Sequence, residues 1–200
     1  MTVGGNGGAA LRPCLDGDIA AVTAIYAHAV RTGRASFELE PPDEAEMRRR
    51  RAGLVAGGHP YLVAVRDGAV LGYAYAGPYR ARPAYRATVE NSVYVHPDHA
   101  GQGLGRLLLA GLVAAATQAG FRQMVAVIGD SANTASIGLH AALGFASVGV
   151  LRAVGWKHGT WLDTVLMQRA LGPGADEPPE APPEPPLEAP PDAPAAAAGR

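Results

Sequence analysis

Val93-Tyr94-Val95-His96-Pro97-Asp98-His99-Ala100-Gly101-Gln102-Gly103-Leu104-Gly105-Arg106 is the most informative run in the chain. An apolar β-type stretch enters a proline-marked turn, then a glycine cluster, then a leucine-rich helical pattern. Glycine lacks the Cβ that would hold a ligand away, so backbone N–H groups can close around an anion. The helix that starts there adds unpaired amides and the positive end of its dipole. A pyrophosphate is the natural guest, and the backbone of Gly101, Gln102, Gly103, Leu104, Gly105 and Arg106 is the candidate cradle.

The spacing of the cluster rules out two nucleotide readings. Its glycines are two apart, not in the Gly-x-Gly-x-x-Gly order of a dinucleotide fold, and no acid stands near Phe121–Val127 to hold a ribose. The Gly-Lys-Ser/Thr ending of a triphosphate loop is missing too.

Working outward, Leu11–Pro13 reads as a short strand. A helix follows to about Arg31, capped by Asp16 or Asp18, and a second helix runs from Pro41-Pro42-Asp43 to about Val55. Tyr61–Arg66 and Val70–Ala76 form a hairpin at Asp67-Gly68. Ala87–Val95 is a central strand, and Leu104, Leu107, Leu108 and Leu112 mark one face of the next helix. Gln123–Ile128 is a strand and Asn133–Leu143 a helix ended by Gly144. Ala146–Leu151 and Trp161–Gln168 are the last strands, joined through Gly155–Thr160. The order is α/β without strict βαβ alternation.

Within the central strand Glu90-Asn91-Ser92 interrupts the apolar run. A carboxylate beside a buried strand costs several kcal/mol unless partnered or functional. Either the strand is an edge with Glu90 in water, or Glu90 lies at the ligand groove and can accept a proton. Asn133 and His140 lie two turns apart near one helix face. His140 is either a satisfied core histidine or, facing the same groove as Glu90, an acid, a base or a substrate contact. His96-x-x-His99 has metal-like spacing but sits in a proline turn without a cysteine partner, so no metal is expected.

The formal net charge is −1 over 200 residues. Residues 172–200 hold ten of the 17 prolines, six acids and one arginine, which leaves +4 on residues 1–171. That excess tolerates an anionic ligand but is too weak for nucleic acid. The proline-rich acidic segment reads as disordered, and the glycine-rich residues 1–9 as flexible. Arg48-Arg49-Arg50-Arg51 reads as a solvated helix face. A lone Cys14 excludes an internal disulfide, and no signal or membrane-spanning run is evident, which favours the cytoplasm.

Taken together, Val95 to Gly105 and the helix after it resemble the acetyl-CoA motif of the GCN5-related N-acetyltransferases, and Asn133…His140…Gly144-Phe145 resembles their second cofactor helix. Four further stretches are similar to the phosphinothricin acetyltransferase branch: Ser36–Pro42, Tyr75–Arg82, Val89–Val95 and Val154–Asp163. The likeness spans about residues 10–170. It implies the GNAT fold, a mixed central sheet with splayed central strands and flanking helices.

It also implies direct acetyl transfer from acetyl-CoA to the α-amine of phosphinothricin, methionine sulfoximine or methionine sulfone. Glu90 is the implied base. A backbone N–H near Val93, Tyr94 or Val95, often beside a bulge, is implied as the thioester oxygen's partner, with Asn133 on the cofactor. His140 stands where many relatives carry a tyrosine acid. On the acceptor side Arg80 and Arg82 suit a carboxylate or phosphinyl group, though each also suits a solvated surface, while Phe37, Tyr79 and Tyr85 wall an apolar slot. The motif's leading Gln or Arg is replaced by Ala100, with Arg106 as a compensating cation. A homodimer is the usual state of the branch. Another amine acceptor, a protein acceptor and a non-catalytic acyl-CoA sensor are the alternatives.

Overall fold

In the computed structural model residues 8–179 are described. Along the chain come β1 (Ala10–Pro13), α1 (Ile19–Thr32), α2 (Glu44–Ala56), β2 (Tyr61–Arg66), β3 (Ala69–Pro78) and β4 (Thr88–Val95). They are followed by α3 (Leu104–Gln118), β5 (Gln123–Gly129), α4 (Thr134–Ala142), β6 (Ala146–Lys157) and β7 (Thr160–Ala170). The strands form one sheet in the order β1-β2-β3-β4-β5-β7-β6. Only β4 and β5 pair in parallel; the other neighbours are antiparallel.

Side-chain alternation sorts the core onto the two faces of this sheet. Ala64, Leu71, Ala74, Ala76, Val89 and Met124 meet Leu104, Leu108, Leu109 and Leu112 of α3 on one face. Tyr61, Val63 and Tyr73 meet Ile19, Val22, Ile25, Tyr26 and Val30 of α1 and Met47 of α2 on the other. Three of the four spaced leucines are fully buried, as the helical period requires, and Leu107 is partly so.

Several expectations are corrected. Neither Asp16 nor Asp18 caps α1 through its side chain: the Asp18 carboxylate accepts from Arg12 (2.6 and 2.8 Å) and from the Leu15 amide, and Asp16 pairs with Arg48. A bidentate guanidinium outcompetes helix amides for an aspartate. The arginine run is more than a solvated face, since Arg50 bridges to Glu38 (2.6 Å) and Arg51 donates to the Cys14 carbonyl. β6 extends to Lys157 across an irregularity between Leu151 and Gly155, so only His158-Gly159 connects it to β7. Ala9 is buried in the core, so the fold begins before residue 10. Leu171–Asp176 form hydrogen-bonded turns with Gly174 buried, which departs from the reading of disorder at residues 172–176. The remainder of that segment, 180–200, and residues 1–7 lie outside the described residues. Among the described residues no helix is long and apolar enough to cross a membrane.

Candidate active site

The parallel pairing of β4 with β5 covers only Thr88–Asn91 against Gln123–Ala126. Beyond Asn91 the two strands part, while β4 stays paired to β3 as far as Val95 and β5 to β7 as far as Gly129. Ser92–Val95 therefore offers one backbone edge with no strand against it, at the centre of the sheet. The β3–β4 register is unbroken, so the splay does not arise from a bulge in that pair.

Three connected hollows occupy the splay. The outermost, about 550 Å³, is lined by Val93, Tyr94, Val95 and Gly105 and by Asn133, Ser136 and Leu139 of the α4 side. A narrow one of about 70 Å³ lies between the strands, against Asn91, Val93, Asn133 and His140. The innermost, about 380 Å³, is lined by Phe37, Glu38, Tyr75, Glu90, Ser92 and Thr164. All three share Ala35, Tyr94 and Gly129, so they form one passage through the sheet.

The glycine bend lies at the outer end. Gly101 and Gly103 have φ of 76° and 78°, a left-handed conformation that glycine adopts without strain. Gly103 is the N-cap of α3, whose first amides have no intrahelical acceptor. Around Gly101 a Cβ would meet no atom within 4 Å, so the bend opens outward. Leu104 contributes only its backbone, because its side chain is core. Gln102 turns its side-chain oxygen to Arg66 (3.3 Å), and Arg106 is exposed. A diphosphate fits the bend and an extended pantetheine arm fits the passage.

Glu90 is half-buried, faces the inner hollow, and has its carboxyl pushed above the ordinary range by burial, with Arg80 opposing. Its strand is central, so the edge-strand reading is excluded. His140 does not share that hollow. Adjacent strand residues point to opposite faces, and the partner of His140 is Asn91: Nε2 lies 3.0 Å from Asn91 Oδ1 and Nδ1 2.8 Å from the Ser136 carbonyl. Asn91 in turn donates to the Val125 carbonyl (3.1 Å) across the last paired residues of β4 and β5. Burial lowers the His140 pKa. Asn133 caps α4, its side chain accepting from the Ser136 amide.

Of the acceptor-side candidates, Phe37 lines the inner hollow. Arg80 is exposed, stacked on Tyr79, and acts on Glu90 through its charge. Arg82 is exposed in the loop before the short turn Pro83–Tyr85. Tyr85 is corrected: with Tyr79 it walls a separate hollow of about 220 Å³ further along the sheet. The sequence reading missed what holds Phe37. Lys157 Nζ donates to the Ser36 carbonyl (2.7 Å) and Tyr26 shares a hydrogen bond with Ser36 Oγ (3.0 Å). A Cβ on Gly155 would overlap the Phe37 ring, and one on Gly129 would lie 2.5 Å from the Ala35 carbonyl oxygen. The Trp156-flanking motif around Val154–Asp163 held that signal.

The sequence signature of the Acetyltransferase (GNAT) family matches residues 22–145, and the chain belongs to this family. More narrowly, it is 58% identical over 170 residues to the phosphinothricin N-acetyltransferase of Alcaligenes faecalis, covering 85% of this chain and 86% of that protein. It is 44% identical over 154 residues to the L-methionine sulfoximine/L-methionine sulfone acetyltransferase of Salmonella typhimurium, covering 77% and 90%. The crystal structure of a GNAT phosphinothricin acetyltransferase from Sinorhizobium meliloti in complex with acetyl-CoA superposes with a TM-score of 0.84 at 48% identity, over 86% and 93% of the two chains.

Proposed function

We propose that this enzyme moves the acetyl group of acetyl-CoA onto the α-amine of a small amino-acid analogue of the phosphinothricin, methionine sulfoximine or methionine sulfone type. The observation that carries the proposal is the passage through the splay: a diphosphate-sized bend at one end and a half-buried carboxylate at the other. Glu90 takes a proton from the acceptor ammonium, its raised pKa bringing it nearer the working pH of a base. The freed amine attacks the thioester carbonyl; the C–N bond forms, the C–S bond breaks, and the departing coenzyme A thiolate takes up the proton that the acylated nitrogen sheds. The carbonyl oxygen accepts from an N–H on the open edge of Ser92–Val95, a role that the missing strand partner there supports. The named substrates of the two curated relatives support the acceptor class.

His140 is a positioning residue in this reading. Both ring nitrogens are engaged, by the Ser136 carbonyl and Asn91 Oδ1, and these contacts tie α4 through Asn91 to the point where β4 and β5 part. Arg80 supplies a cation at the mouth for the acceptor's acidic group, with Arg82 beside it in the loop. The protein pairs as a homodimer through β6, an edge strand that exposes Val148, Val150, Leu151, Val154 and Trp156. A single cysteine, buried and free, suits the cytoplasm.

The test is an amine screen by thiol release, run with wild type and Glu90→Gln together. Turnover is expected with at least one of the three analogues, and Glu90→Gln loses roughly 10² to 10⁴-fold in kcat while acetyl-CoA affinity holds. No turnover with any of the three refutes the acceptor class, and an equal loss of affinity makes Glu90 structural.

A further inference from the structure

A further hollow, of about 540 Å³, lies beside the passage, between α2 and the outer strands β2 and β3. Its walls include Tyr61, Tyr73 and Tyr75 of the sheet and Met47, Gly53 and Leu54 of α2, and they are largely apolar. The three tyrosine rings are near parallel, with interplanar angles of 7°, 15° and 11° and centroids 5.1 to 6.3 Å apart. They form an offset-stacked aromatic cluster. Tyr73 is fully buried, yet its hydroxyl has no hydrogen-bond partner among the described residues. A buried hydroxyl in an apolar wall calls for an acceptor.

At the rim stand Arg49 and Arg50. Their present partners, Glu46 and Glu38, are partly solvated side chains, and exposed ion pairs of this kind are weak. A guanidinium fork can therefore turn to a competing carboxylate. Gly53 is part of the wall, and a Cβ there would meet no atom within 4 Å, so a larger side chain can be added at that point without a clash. Volume, apolar walls and a few placed polar groups are the attributes of a small-molecule site.

We propose that this hollow binds a small aromatic carboxylate. Its ring packs against the tyrosine cluster, an oxygen accepts from Tyr73, and its carboxylate reaches Arg49 and Arg50. The site shares Tyr26 and Tyr75 with the acceptor hollow but stands independently of the acetyl-transfer reading.

The probe is 4-hydroxybenzoate, titrated by calorimetry into the full chain saturated with acetyl-CoA, with 4-methylphenol as the uncharged comparator. Saturable binding is expected, with 4-methylphenol at least about tenfold weaker. Tyr73→Phe weakens 4-hydroxybenzoate by about three- to tenfold. Gly53→Leu, which fills the hollow and favours the helix, abolishes binding without changing acetyl transfer. Absence of saturable binding overturns the proposal, as does binding that survives in Gly53→Leu. Binding lost in Gly53→Leu but equal for both probes overturns the assignment to a carboxylate.

Discussion

Glu90 owes its chemistry to two opposed neighbours, the apolar surroundings that raise its pKa and the Arg80 charge that lowers it. The active form is the carboxylate. Activity therefore falls as pH drops through the raised value and recovers above it. Removing the arginine charge lets desolvation act unopposed, so Arg80→Gln moves the acidic limb of the kcat/KM profile to higher pH. A limb that stays in place means that the arginine does not act on the base. The neighbouring residue shows how local such effects are. Asn91 follows Glu90 directly in sequence, yet it points through the sheet to His140 and Val125.

At the scale of elements, segment 33–40 between α1 and α2 forms the wall over the acceptor hollow, and β6 fastens it. Lys157 holds the Ser36 carbonyl, and Gly155 leaves room for Phe37. Gly155→Ala displaces the ring and raises the acceptor KM by roughly tenfold or more, leaving the KM for acetyl-CoA unchanged. Steady-state kinetics with each substrate varied in turn check this; a shared rise would mean that the strand itself is disturbed. Among the described residues, every strand but one and all four α-helices were legible in the sequence to within a few residues, because strand alternation, the spaced leucines and the turn glycines are local signals. The exception is β6, where Gly155 looked like a turn and is instead a seat for an aromatic ring. Glu90 was legible as a polar break in an apolar strand. The separation of Glu90 from His140 was legible in principle, since the partner of His140 lies at an odd position of β4 and Glu90 at an even one. The clamps by Lys157 and Gly129 were not, since they join segments over 90 residues apart that only the folded sheet brings together. Tyr85 was misplaced because spacing does not fix the direction of the irregular loop that carries it.

For the whole molecule, the edge of the sheet and its centre make separate demands. Trp156 and Trp161 are 55% and 62% exposed and pack edge to face on the β6–β7 hairpin. In the proposed homodimer a charge buried there has no partner, so Trp161→Glu is expected to leave a monomer, read by light scattering at micromolar concentration. A wild-type monomer would contradict the dimer outright. The centre of the sheet carries the larger claim, that the glycine bend grips the diphosphate while the splay holds the acyl arm. The most direct test compares kcat/KM for acetyl-CoA with that for S-acetylpantetheine, a donor with no diphosphate, in wild type and Gly103→Val. A β-branched residue is strained at φ 78°, so the variant loses roughly 10- to 100-fold with acetyl-CoA and little with S-acetylpantetheine. Equal losses with both donors, or none with either, would contradict the account.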